Sequence, residues 1–139
     1  MLKRRELLRI LQVDGDIITL ECFGVEYRFD FNLNALTAGG KTVYEIGRND
    51  VDIPIVVDAD SGHIFFLDSG RGLSFINSSF PQLLAAFDFV NGWDIPDDIP
   101  DPERARIFGE KMLEIDENLF RDPEACWSTM QEEIGYGII

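Results

Sequence analysis

The chain has 139 residues, 45% of them hydrophobic and 11 of them Phe, and a net charge of -14. That length suits one domain able to bury enough surface to fold without a disulfide or a metal. So many aromatics exclude an acidic disordered chain, and so negative a field disfavours nucleic acid and anionic lipid as partners.

The charge is uneven. Residues 1–12 set Lys3, Arg4, Arg5 and Arg9 against Glu6, a balance of +3, whereas residues 94–139 hold 13 acids against 4 bases, a balance of -9. Such a field keeps a protein soluble and speeds its encounter with basic proteins. The basic start has no apolar stretch behind it, unlike a secretory signal. No run approaches the roughly 18 apolar residues of a membrane span. Cys22 and Cys126 lack Cys-x-x-Cys spacing and a neighbouring Cys/His cluster for zinc. They read as reduced, buried thiols, so a cytoplasmic location is expected.

Leu7, Leu8, Ile10 and Leu11 among charges predict a short amphipathic helix over 4–12, stopped by Asp14, Gly15 and Asp16. Residues 17–23 and 25–31, broken only by Gly24, predict a hairpin. In its second arm Val25, Tyr27, Phe29 and Phe31 alternate with Glu26, Arg28 and Asp30, giving one dry and one wet face. Residues 38–41 read as a loop, 43–47 as a short strand and 53–57 as the most apolar strand, with Pro54 near its start. Residues 63–67 pair back across an Asp58-to-Gly62 turn, and 72–76 form the last strand.

The period then changes. Phe80, Leu83, Leu84, Phe87 and Val90 follow helical spacing, with Ser79 and Gln82 as a capping box, Pro81 in the first turn and a left-handed close at Asn91 and Gly92. Residues 93–102 form a stiff acidic connector. Asp101 and Pro102 predict the start of a helix striped by Phe108, Met112, Ile115 and Leu119. Asp122 and Pro123 repeat that signal before Trp127, Met130 and Ile134, with Trp127 assigned to the core. The expected fold is α+β, one domain over 1–139: a largely antiparallel sheet of five or six strands, with helices from both ends of the chain packed on it.

Chemistry finds little purchase. His63, the only histidine, begins a strand, and its neighbours Asp58, Asp60 and Ser61 lie on a turn that points them to different sides, unlike a triad. Asp58, Asp60 and Gly62 fail the calcium-loop pattern, because Gly falls at position five and Ser69 at position twelve. Gly70, Arg71 and Gly72 lack the spacing of a phosphate loop. A non-enzymatic domain with no cofactor and no metal is expected. Trp93, beside Asp94, Asp97, Asp98 and Asp101, is the candidate contact patch for a basic partner. An enzyme remains the alternative that a pocket joining His63 to two acids revives.

Three stretches carry a resemblance: Tyr44-Glu45-Ile46-Gly47; Ile55-Val56-Val57-Asp58 with Ser61-Gly62-His63-Ile64-Phe65; and Phe75-Ile76-Asn77-Ser78-Ser79 running into Phe80-Pro81-Gln82-Leu83-Leu84. With Ile115-Asp116 and Asp122-Pro123-Glu124-Ala125-Cys126-Trp127, the segment 43–134 resembles the SUKH superfamily, in particular its fourth immunity subfamily. The superfamily includes a yeast cell-wall regulator, and its bacterial members are mostly immunity proteins of polymorphic toxin systems. The resemblance implies an immunity protein whose partner is a cognate toxin, made basic by this chain's acidity, as in a nuclease or a nucleic-acid deaminase. A regulatory protein-interaction domain without a toxin is the alternative. Cys126 departs from the aromatic the family often has there, and no binding residue is carried over from it.

Overall fold

The computed structural model describes residues 2–68, 72–96 and 98–139. Leu7 and Leu11, one helical turn apart, give the helix α1 (Arg4–Leu11) its buried stripe. Seven strands follow: β1 (Ile18–Cys22), β2 (Val25–Phe29), β3 (Ala35–Ala38), β4 (Lys41–Asn49), β5 (Pro54–Val57), β6 (Ile64–Asp68) and β7 (Gly72–Asn77). Then come helices α2 (Phe80–Asn91), α3 (Asp101–Ile115) and α4 (Cys126–Gly135). The strands form one antiparallel sheet in the order β1-β2-β4-β5-β6-β7, with β3 also paired to β4. The α+β architecture expected from the sequence is therefore present, with seven strands where five or six were expected.

The additional strand is β3, whose residues Ala35, Leu36, Thr37 and Ala38 carry almost no β-branched signal. Its turn explains it. Gly39 and Gly40 sit at φ 57° and 76°, the paired positive angles of the tight turn that matches hairpin twist. Strands β2 and β3 lie end to end along the same side of β4. Arg28 pairs with Arg48, Ala35 pairs with Tyr44, and the amides of Phe31 and Leu33 donate to the carbonyls of Ile46 and Glu45 at 3.0 and 2.8 Å. Phe31 and Leu33 take φ of 51° and 59° in this bulged join. Each such angle costs about 1 kcal/mol or more. Phe31 offsets the cost by complete burial, edge-on to Phe80 at 5.5 Å.

Gly47 lies where β4 shifts register against β5. A Cβ there would strike the Arg28 carbonyl oxygen and stand 2.8 Å from the Phe29 Cα. Those are backbone atoms of the paired strand and cannot swing aside. Gly47→Ala is expected to cost about 3 kcal/mol or more, because it forces the sheet apart. A urea midpoint within experimental error of the parent would contradict this.

The Asp58-to-Gly62 turn closes as a network. The Asp58 carboxyl accepts from the Asp60 amide at 3.0 Å and from the Lys41 ammonium at 3.1 Å. Burial works against its charge, yet the bonds from Lys41 and Asp60 outweigh it and hold the carboxyl below its ordinary value of 3.8. A depressed folded value means that the native state binds fewer protons than the unfolded chain as acid is added. This contribution is complete above the ordinary value and is lost as pH falls through the folded one. Asp58→Asn is thus expected to be less stable than the parent at neutral pH and to lose less stability on acidification below about pH 4. Urea midpoints across that range check it.

Ser79 caps α2 as expected, its Oγ accepting from the Gln82 amide at 3.2 Å. Gln82 reaches back as expected, though to the Ser79 hydroxyl, from which its Oε1 accepts at 2.7 Å, while its Nε2 donates to the Ile115 carbonyl at 3.2 Å and ties α2 to the end of α3. The close at Gly92 has φ -97°, not a left-handed angle. Asp101 is the first residue of α3, and Pro100 is its N-cap. Asp122 precedes α4, where its carboxyl accepts from the Glu124 amide.

The helices cover one face of the sheet. Leu7 and Leu11 of α1, Leu83 and Phe87 of α2, Phe108 and Met112 of α3 and Trp127 and Ile134 of α4 join Phe29, Ile46, Ile55, Val57 and Ile64 in one core. A buried polar knot pins the corner between β7 and α2. Asp116 accepts from the Ser78 amide at 2.8 Å, the Ser78 hydroxyl at 2.7 Å, Asn77 Nδ2 at 3.2 Å and the Asn118 amide at 3.1 Å. Asn77 Oδ1 accepts in turn from the Trp127 indole at 3.0 Å. The Asn-Ser-Ser stretch is therefore an architectural joint between the last strand and the C-terminal helices.

Candidate protein-binding surface

An antiparallel sheet with helices on one face normally alternates apolar and polar residues. Strands β5 and β6 do not. Ile55 and Val57 enter the helix-covered core, and so do Ile64 and Phe66. Val56, Phe65 and Leu67 point to the opposite face and are apolar too. They form a second cluster with Ala38, Val43, Leu36 and Leu73, in which every residue belongs to a strand. Among the described residues no helix covers this face.

Register explains its continuity. Val56 faces Phe65 and Phe65 faces Phe75, while Leu67 faces Leu73 and Leu36 faces Val43. Val43 and Val56 are 0% exposed, whereas Phe65, Leu67 and Leu73 are half-buried and make the outer layer; Phe75, paired with Phe65, packs against the helix-covered core. Glu45, opposite Val56, is the charged member. It is held by Arg48 Nη2 at 3.0 Å and by the Asn32 side-chain amide, so it presents a neutralised pair.

At the β7 edge the face runs into a cleft of about 190 Å³ lined by His63, Phe65, Phe75, Asn118, Arg121 and Asp122. His63 is half-buried and packs edge-on to Phe75, with ring centroids 5.5 Å apart. Its ring forms an aromatic wall of the cleft. Asp58 and Asp60 lie outside this cleft and line a separate one with Lys41 and Tyr44. His63 and the two acids of its turn thus line different clefts.

The sequence-derived patch fares differently, residue by residue. Asp94, Asp98 and Asp101 are exposed, while Asp97 lies outside the described residues. Trp93 is half-buried, 5.3 Å from Phe108 and 6.2 Å from Phe89 between ring centroids, with the Arg104 guanidinium 5.5 Å above its ring. Arg104 is itself tethered to the carbonyls of Ile95 and Pro96. The indole therefore serves the packing of the connector, and the three described acids are what that region offers to solvent.

No protein-family model, curated protein or solved structure matches the chain. Burial pushes the thiols of Cys22 and Cys126 up to about 12, which keeps them protonated and poorly nucleophilic. Among the described residues no three His, Cys, Asp or Glu side chains gather to hold a metal, and no helix is long and apolar enough to cross a membrane. The residues that sequence reasoning missed are Phe65, Leu67, Leu73 and Phe75. Their signal was present: runs apolar on both sides in strands of a sheet with too few helices to cover both faces.

Proposed function

We propose that this protein is a non-enzymatic binding domain that neutralises a basic toxin by occlusion, as an immunity protein of a polymorphic toxin system does. The observation that carries the reading is the helix-free, apolar sheet face on a chain of net charge -14. A contiguous apolar face left to water marks an interaction site. The charge selects the partner: two copies repel each other, whereas a basic protein is drawn in. The likeness of residues 43–134 to the SUKH superfamily supports the narrower reading as a toxin antagonist, with a cytoplasmic site of action.

The test is capture of the protein encoded beside this chain's gene, then growth rescue on co-expression and association kinetics at several salt concentrations. Capture, rescue and an association rate that falls about tenfold or more between 0.05 and 0.5 M NaCl are expected, because salt screens steering. Failure of capture and rescue overturns the reading. An association rate indifferent to salt removes its electrostatic part.

A further inference from the structure

Resting on that protein-binding reading, we propose that the cleft between the β6–β7 edge and the α3–α4 connection is a seat for one cationic side chain, a lysine ammonium or an arginine guanidinium, presented by the partner. Two observations converge on it. First, His63, Phe65 and Phe75 form a ring trio with centroids 6.3, 5.5 and 5.9 Å apart, and Phe75 stands edge-on to the other two. Aromatic faces attract cations and repel anions. Second, Asp122 lines the same cleft and supplies the matching charge.

Size agrees. A volume of about 190 Å³ is below the range of pockets that enclose whole small molecules, but it is ample for the end of a single side chain. Arg121, also in the wall, argues for an anion. It is exposed, and it stands beside the exposed acids Glu117, Asp122 and Glu124 on the same connection, so the local balance is negative. Phe65 belongs both to this cleft and to the open face, and Phe75 is paired opposite it, so one partner engages the two together. The apolar row supplies area and the cleft fixes register.

The single histidine makes a direct reporter. The whole protein is titrated with n-butylguanidinium, n-butylammonium, n-butanol and butyrate, and the imidazole C–H resonances of His63 are followed by NMR. Both cations are expected to give saturable shifts, with butanol and butyrate at least about tenfold weaker. Asp122→Asn, at an exposed position that leaves the fold intact, is expected to weaken cation binding about threefold to tenfold. Phe75→Leu, which keeps apolar bulk and removes a ring face, is expected to weaken it similarly. Arg121→Gln is expected to leave it unchanged or tighter. Butanol shifting His63 as well as the cations do, or butyrate saturating in an Arg121-dependent way, overturns the proposal. These outcomes need no partner. A failed seat with partner capture intact is thus distinct from failed capture with the cations still bound.

Discussion

Asp116→Ala is expected to lower the free energy of unfolding by about 4 kcal/mol, moving the urea midpoint down by about 2 M. The carboxyl is 1% exposed and accepts four hydrogen bonds from three residues on two segments 38 or more positions apart in sequence. Removing it leaves those donors without an acceptor. A buried orphan costs about 1–3 kcal/mol, and the sum is discounted because Ser78 and Asn118 are only half-buried and water reaches them. Asn77 then loses the bond that orients it, and with it the acceptor for the Trp127 indole. Asp116→Asn keeps one acceptor oxygen but turns an N–H2 toward the Ser78 donors, so it is expected to recover less than half of the loss. Tryptophan fluorescence against urea measures both variants. A loss under about 1 kcal/mol for Asp116→Ala would show that the knot merely decorates a joint held by packing.

That joint also marks how far the sequence could be read. Local signals were legible: the helical period of Phe80, Leu83 and Phe87, the Ser79 cap, the alternation in β2 and the burial of Trp127 all appear as expected. What depends on distant partners was not. Nothing near Asn77 or Ser78 announces Asp116, and nothing in the capping box announces that Gln82, besides accepting from the Ser79 hydroxyl, also reaches the Ile115 carbonyl. Strand β3 escaped notice because its pairing is set by the Gly39–Gly40 turn and by β4, not by its own propensity. The contact patch was placed at Trp93 by a correct reading of nearby charge, but Phe89, Phe108 and Arg104, which occupy the indole, converge on it only in the fold. The open face was missed for the reverse reason. The apolar character of β5 was plain, and only the count of layers shows that, among the described residues, no helix covers one side of it.

Leu67→Lys is the second large effect, and it separates the two terms of the proposed recognition. Leu67 is half-buried on the open face opposite Leu73, so losing its partial burial costs about 1 kcal/mol of stability. Affinity for the captured partner is expected to fall about a hundredfold, because the change removes an apolar contact and sets a like charge against a basic surface. The loss should lie mostly in a faster dissociation rate, as is usual for contacts made after docking. Reversal of an acid far from the face, such as Glu132→Lys on the exposed side of α4, should instead slow association modestly and leave dissociation unchanged. Nile red, an uncharged dye, checks the face without the partner: its fluorescence enhancement should drop in Leu67→Lys and persist in Glu132→Lys. Equal effects of the two substitutions on dissociation would mean that the partner sits elsewhere, with the acidic helices rather than the sheet as its landing ground.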